Sequence, residues 1–312
     1  MTQFLIRRLI ISAITLIAIS MVVFGILSLA PGDPLGEFAN NPSVPFAVRQ
    51  QIRKQMGLDD PVTEQYVKWA KSYAQGNWMR SYAAKSDVRP LVLGRLPTTL
   101  YIIGSSFVVG LLIAIPIGVL SAIKQYSIFD QLSTTFAFLG FSLPTFFTGL
   151  LFITFFSVRL GWLPFVYDST VQGFWPWLKQ AIMPISVLAL ASSASLTRYV
   201  RASMLEVINQ DYVRTARAKG LRERVVIIAH AMRNGMIPVI TIIALQIPEV
   251  FGGAIVTEQI FRVPGIGSLL ISSVDSKDTP VIMAITFGIA IIVVICNMLA
   301  DILYATLDPR IK

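Results

Sequence analysis

From Leu9 to Leu29 the chain runs without one charged residue. About 20 apolar residues are what a helix needs to cross ~30 Å of hydrocarbon, and only a helix or a closed barrel satisfies every backbone N–H and C=O in that medium. The run therefore reads as a membrane helix. Arg7 and Arg8 stand just before it and raise the competing reading of a cleaved secretory signal. The apolar core is longer than the ~7 to 15 residues of such signals, which favours a retained span.

The same test places further spans near 98–122, 132–158, 181–196, 237–256 and 281–303. The chain is expected to be an all-α integral membrane protein with about six transmembrane helices. Its composition, 54% apolar and 14% charged, departs from the ~45–50% and ~25% of soluble domains in the direction lipid requires. Three parts follow: 1–29, an amino-terminal end with the first span; 30–97, a polar extracytoplasmic insertion; and 98–312, a five-helix core with a basic loop at 198–237. The insertion carries Trp69 and Trp78 and is long enough for a small helical cap, read either as a passive lid or as a docking surface.

A net charge of +9 raises nucleic acid as a partner, but the basic residues lie between apolar runs, where membrane orientation accounts for them better. With the amino terminus inside, cytosolic segments hold thirteen Lys and Arg, eight of them between the fourth and fifth spans, while the short outer loops hold two each. That bias places both termini in the cytosol. Trp162, Trp175 and Trp177 share one outer loop and read as an interfacial belt or as loop packing. Pro116, Pro144, Pro184 and Pro248 fall inside spans, each removing a helix hydrogen bond and inviting a kink. Gly110, Ala114 and Gly118 recur every four residues and let a neighbouring helix approach closely.

Enzyme chemistry finds little footing. No GxxxxGK[ST] phosphate loop, HExxH pair or GxSxG elbow occurs, so no nucleotide cradle, zinc site or nucleophile presents itself. One histidine, His230, and one cysteine, Cys296, are too few for a Cys/His metal cluster and read as packing residues. No cofactor is expected in the chain. Ion-coupled carriers keep ionisable groups within their spans because each costs ~2.5–3.5 kcal/mol to insert. Only Glu249 is deep; Asp130 and Asp301 lie near span ends, within reach of water or headgroups. Glu249 reads as facing a solute pathway, to meet an ammonium group or cation, or as a helix–helix hydrogen bond beside Pro248.

The basic loop contains MLEVINQDYVRTARAKGL. Asp211 suits a helix start, Arg217 and Lys219 suit the negative end, and Gly220 suits a left-handed stop. The predicted helix is 212–219. Eight residues fall short of the ~12–15 that an isolated helix needs, so tertiary or partner contacts must hold it. On residues alone this is either a topology-fixing loop or a short rod that seats in a partner's cleft.

That stretch, with His230, Arg233–Asn234 and Ile237–Pro238, resembles the conserved loop of permease subunits of bacterial ATP-binding-cassette importers. IRRLI near the start, LAPGDP at 29–34, RLPTTL at 95–100, EQIFRVPGIGSLL from Glu258 and DTP at 278–280 look like signatures of the dipeptide, oligopeptide and nickel permease family. In those importers Glu-Ala-Ala precedes the loop glycine; here Arg214, Thr215 and Ala216 stand before Gly220, which fits the peptide branch.

The resemblance implies a type I importer permease fold in a bacterial inner membrane. It also implies a second homologous permease subunit, two ATPase subunits, an extracytoplasmic substrate-binding protein and no nucleic acid. Asp211, Tyr212, Arg214, Thr215, Ala216, Arg217, Ala218 and Gly220 become the coupling helix that contacts an ATPase, and Glu258, Pro264 and Gly265 an outer gate. There Pro264, Gly265 and Gly267 are expected to impose a turn. The implied solutes are di- or oligopeptides, with nickel and glutathione-like compounds as alternatives and an ion-coupled carrier as a more distant one.

Overall fold

The computed structural model describes residues 2–29, 45–55 and 57–307, apart from the side chains of a few helical positions, among them 247–249. The LAPGDP segment beyond Leu29 lies outside the described residues. Among the described residues the chain is helical without a named strand; Arg80 and Asp87 form an isolated bridge. Five helices are individually long and apolar enough to cross a membrane, and up to seven crossings result if two helix pairs each count as one span.

The chain divides into two compact units, 1–97 with 265–294 and 98–264 with 295–312. In the first, α1 (Thr2–Leu29) is followed by α2 (Phe46–Gln55) and α3 (Val62–Ala74). The beginning of α4 (Val88–Ile123), α11 (Ile266–Asp275) and most of α12 (Thr279–Leu307) complete it. In its described part the insertion carries the two helices α2 and α3, and aromatic rings hold α3. Trp69 of α3 is buried at 6% exposure among Phe24, Tyr66, Tyr73 and Phe287. Phe24–Tyr66 and Trp69–Phe287 meet edge to face with centroids 5.6 Å apart, the orientation that ring quadrupoles favour. Ser20 of α1 pairs with the Tyr66 hydroxyl at 2.9 Å. Trp78 stacks on Tyr73 at 5.1 Å.

Asp278, just before α12, closes this unit. Its carboxylate accepts the Ser81 hydroxyl and the Tyr82 and Ala83 amides at 3.1 and 3.2 Å, while Ser81 Oγ accepts the Ala84 amide at 2.8 Å. Burial, with the Asp278 charge beside it, pushes the Tyr82 phenol up to about 12.

The second unit holds the rest of α4, then α5 (Ile128–Ser142), α6 (Thr145–Phe152), which widens into a π-helical end (Ile153–Arg159), and α7 (Phe174–Ile208). After these come α8 (Asp211–Ala218), α9 (Glu223–Val225), a π-helical turn (Val226–Ala231) and α10 (Met232–Phe261). The expected single span at 132–158 is a bent pair, with α5 and α6 meeting at 104°. Pro144 is the cause: it disfavours helical backbone at Leu143, which is extended at ψ 124°, so the helix stops instead of kinking. Pro184 by contrast sits inside α7.

The small-residue stripe packs α4 against α7. A Cβ at Gly118 would meet Val200 Cβ at 2.7 Å, one at Gly110 would meet Ser192 Oγ at 2.6 Å, and Ala114 between them is fully buried. The outer-loop tryptophans divide: Trp162 and Trp175 are exposed, whereas the Trp177 ring packs 4.2 Å from Tyr101. At 35 residues α7 is about 50 Å long, well beyond ~30 Å of hydrocarbon. One of its ends must therefore stand clear of the membrane, and it is this helix that leads into α8.

Candidate functional site

Helix α8 spans Asp211–Ala218 with Gln210 as its N-cap and no side-chain cap bond, one residue ahead of the expected 212–219. Its end forms as the sequence requires. The Gly220 amide donates to the Arg217 carbonyl at 2.9 Å, and Gly220 adopts φ +74°, where a side chain would be strained.

The apolar positions Val213 and Ala216, three apart, share one face and are buried at 0% and 4% exposure. They join a core formed by Val200 and Met204 of α7, Val226 and Ala231 of the π-helical turn, and Val119 of α4. Burying a valine side chain contributes roughly 1.5–3 kcal/mol, which answers how so short a helix persists. Arg217 clamps the far side. Its guanidinium donates to Glu223 at 2.9 Å and to the Ile208 carbonyl at 3.5 Å. The Glu223 carboxylate raises Arg217 above its ordinary value. This pair is partly exposed, so it is worth ~0.2–1 kcal/mol and serves chiefly to close the loop from α7 to α9.

The opposite face is open. Asp211, Tyr212, Arg214, Thr215 and Ala218 are exposed, Tyr212 at 41%, and Thr215 Oγ1 bonds back to the Asp211 carbonyl at 2.8 Å. Seven of the eight named loop residues therefore present themselves outward, while Ala216 faces the chain's own core. His230 lies half-buried in the π-helical turn beneath α8.

Two buried carboxylates make contacts that the sequence does not announce. Asp130 does not meet water: it is 3% exposed and takes Nε and NH2 of Arg201 at 2.6 and 2.8 Å, the Tyr126 amide at 2.9 Å and the Ser121 hydroxyl. This locks the turn between α4 and α5 to the part of α7 that carries α8. Ser127 as N-cap of α5 is the local signal; an arginine 71 residues away leaves none. The other is the Asp278 clasp, whose DTP segment is visible as a signature but not as a contact.

At the expected gate, Glu258 is 1% exposed, and its Oε1 accepts the Thr99 hydroxyl at 2.5 Å. This ties α10 to α4. The turn after α10 is made differently from expectation: Arg262 takes the left-handed conformation at φ 52°, Gly265 is extended as the N-cap of α11, and Gly267 lies within that helix. The Glu249 side chain lies outside the described residues.

The family described as "Binding-protein-dependent transport system inner membrane component" matches residues 114–312, and its amino-terminal companion matches residues 1–103. The oligopeptide transport system permease protein AppB of Bacillus subtilis is 43% identical over 316 residues, covering all of both chains. The glutathione transport system permease protein GsiC of Escherichia coli K12 is 36% identical over 312 residues, covering all of this chain and 99% of that one. A crystal structure of an amino acid ABC transporter with histidines superposes at TM-score 0.55 with 14% identity, over 70% of this chain and 94% of the other. At that identity the likeness is one of fold.

Proposed function

Because this chain belongs to the family of inner membrane components of binding-protein-dependent transport systems, we propose that it is one of two homologous permease subunits of an ATP-driven peptide importer. A permease subunit of this family carries out transport and is not itself an enzyme. The further parts of the assembly, two ATPase subunits and an extracytoplasmic binding protein, are part of the proposal. So is a cytosolic position for both termini, supported by the charge bias of the loops.

One observation carries the reading. The short helix α8 is seated by Val213 and Ala216 in the core beneath α4 and α7 and offers Tyr212, Arg214 and Thr215 outward. That is the form of a part that receives force from a cytosolic partner and passes it to the membrane helices. ATP shifts the permease only by the difference in ATPase affinity between its inward- and outward-open states. The rod must therefore stay rigidly joined to α7, which the packing of Val213 and Ala216 against Val200 and Met204 supports, and α7 to the turn between α4 and α5, which the Arg201–Asp130 pair supports. Glu258 acts next to the outer turn as a positioning residue between α10 and α4.

Peptides are the proposed solute class, supported by the 43% identity to an oligopeptide permease. Glutathione is a second reading, supported by GsiC at 36%. The test is co-purification in mild detergent. The wild type retains its ATPase subunits, and Tyr212→Ala with Arg214→Glu loses them while the permease stays monodisperse. Equal retention by the double variant removes the docking role of α8.

A further inference from the structure

Within the second unit, a cavity of about 580 Å³ lies between the break from α5 to α6, the middle of α7 and the middle of α10, inside the ~300–1,000 Å³ range of small-ligand sites. On α7 its wall is one helix face, Leu188, Ser192, Ser195 and Tyr199; on α10 it is Ile242 and Gln246. None of the described lining residues is charged, and among the described residues no His, Cys, Asp and Glu group fit to hold a metal occurs.

Gln246 stands out in this wall. It is 8% exposed, its Nε2 donates to Ser195 Oγ at 2.8 Å, and its Oε1 is buried with no hydrogen-bond partner. A serine hydroxyl both donates and accepts, so whichever end of the amide meets Ser195, the other end is left for something else. Buried amides satisfied on one side only are rare and unfavourable. A leucine would fill the same place in an apolar helix without that penalty. The polar group therefore points to a partner that comes and goes.

We propose that Gln246, positioned by Ser195, is a specificity-determining residue that hydrogen-bonds the main-chain amide of a peptide moving through this cavity. A turn about the Ser195 contact brings the unpartnered Oε1 to the solute. The inference rests on the peptide-importer reading and narrows it: backbone amides are read here. One amide and several hydroxyls, with no charge among the described lining residues, discriminate weakly among side chains, which suits mixed peptides.

The experiment is ATP-driven uptake by the complete assembly in proteoliposomes, with tri-alanine and its analogue carrying an ester in place of the second of its two amides. The same binding protein serves every permease variant, so a change in preference belongs to the permease. Wild type is expected to prefer the amide at least tenfold, Gln246→Leu to lose that preference while retaining its ATPase subunits, and Ser195→Ala to weaken it a few-fold. A structural amide predicts instead that Gln246→Leu raises the melting temperature and leaves the preference intact, which overturns the inference alone. Should the wild type import glutathione or a nickel–histidine chelate but no tri-alanine, the peptide reading falls and takes this inference with it.

Discussion

Arg201 grips Asp130 with two guanidinium nitrogens at 2.6 and 2.8 Å, and in doing so fastens the end of α7 to the turn between α4 and α5. The carboxylate is buried and the guanidinium partly so. Removing one partner of such a pair strands the other charge, at about 3–5 kcal/mol, whereas replacing both by apolar groups is often close to neutral. Arg201→Met is therefore expected to lower the detergent melting temperature sharply, and Asp130→Leu with Arg201→Met to recover much of the loss. Melting followed by size-exclusion fluorescence checks this; equal melting of all three proteins contradicts it.

The two faces of α8 predict opposite phenotypes. Ala216 is packed into the core while Arg214 is exposed. Ala216→Leu overpacks the seat, at ~1–3 kcal/mol, and is expected to reduce permease stability. Arg214→Glu leaves melting unchanged and reduces ATPase co-purification. Paired melting and pull-down measurements separate the two effects.

Asp278 predicts a local effect. Asp278→Ala removes the acceptor for the Ser81 hydroxyl and the Tyr82 and Ala83 amides, and unsatisfied buried donors cost ~1–3 kcal/mol. Hydrogen exchange at 81–84 is expected to accelerate about tenfold or more while the α7 amides keep their protection. Unchanged exchange there would show the clasp to be idle.

The small-residue stripe predicts an asymmetry. A methyl at Gly118 meets Val200 Cβ at 2.7 Å and the Thr197 carbonyl oxygen at 2.9 Å, whereas one at Gly110 meets the Ser192 hydroxyl at 2.6 Å. Backbone and a β-branched Cβ yield little; a serine hydroxyl rotates aside. Gly118→Ala is expected to destabilise by ~1–3 kcal/mol and Gly110→Ala by clearly less, as read from melting temperatures.

Much of this architecture was legible in the residues. The apolar runs marked the spans because lipid leaves the backbone no partner but itself, and Gly220 marked the end of α8 because its left-handed φ needs no Cβ. Pro144 was visible as a disruption, but not that it would turn the chain by 104°, since the size of a bend is set by what α5 and α6 pack against. Val213 and Ala216 give the inward face of α8 only once α7 and the π-helical turn are in place beneath it. The partners of Asp130, Asp278 and Gln246 stand 71, 197 and 51 residues away, distances over which no local pattern carries information.

The most direct measurement of the central claim is peptide uptake into proteoliposomes containing this chain alone, and this chain with the second permease, the ATPases and the binding protein. The account predicts uptake that requires the complete set and ATP and that stops in the Tyr212→Ala, Arg214→Glu double variant. Uptake by the chain alone, driven by an ion gradient without any ATPase, would contradict it.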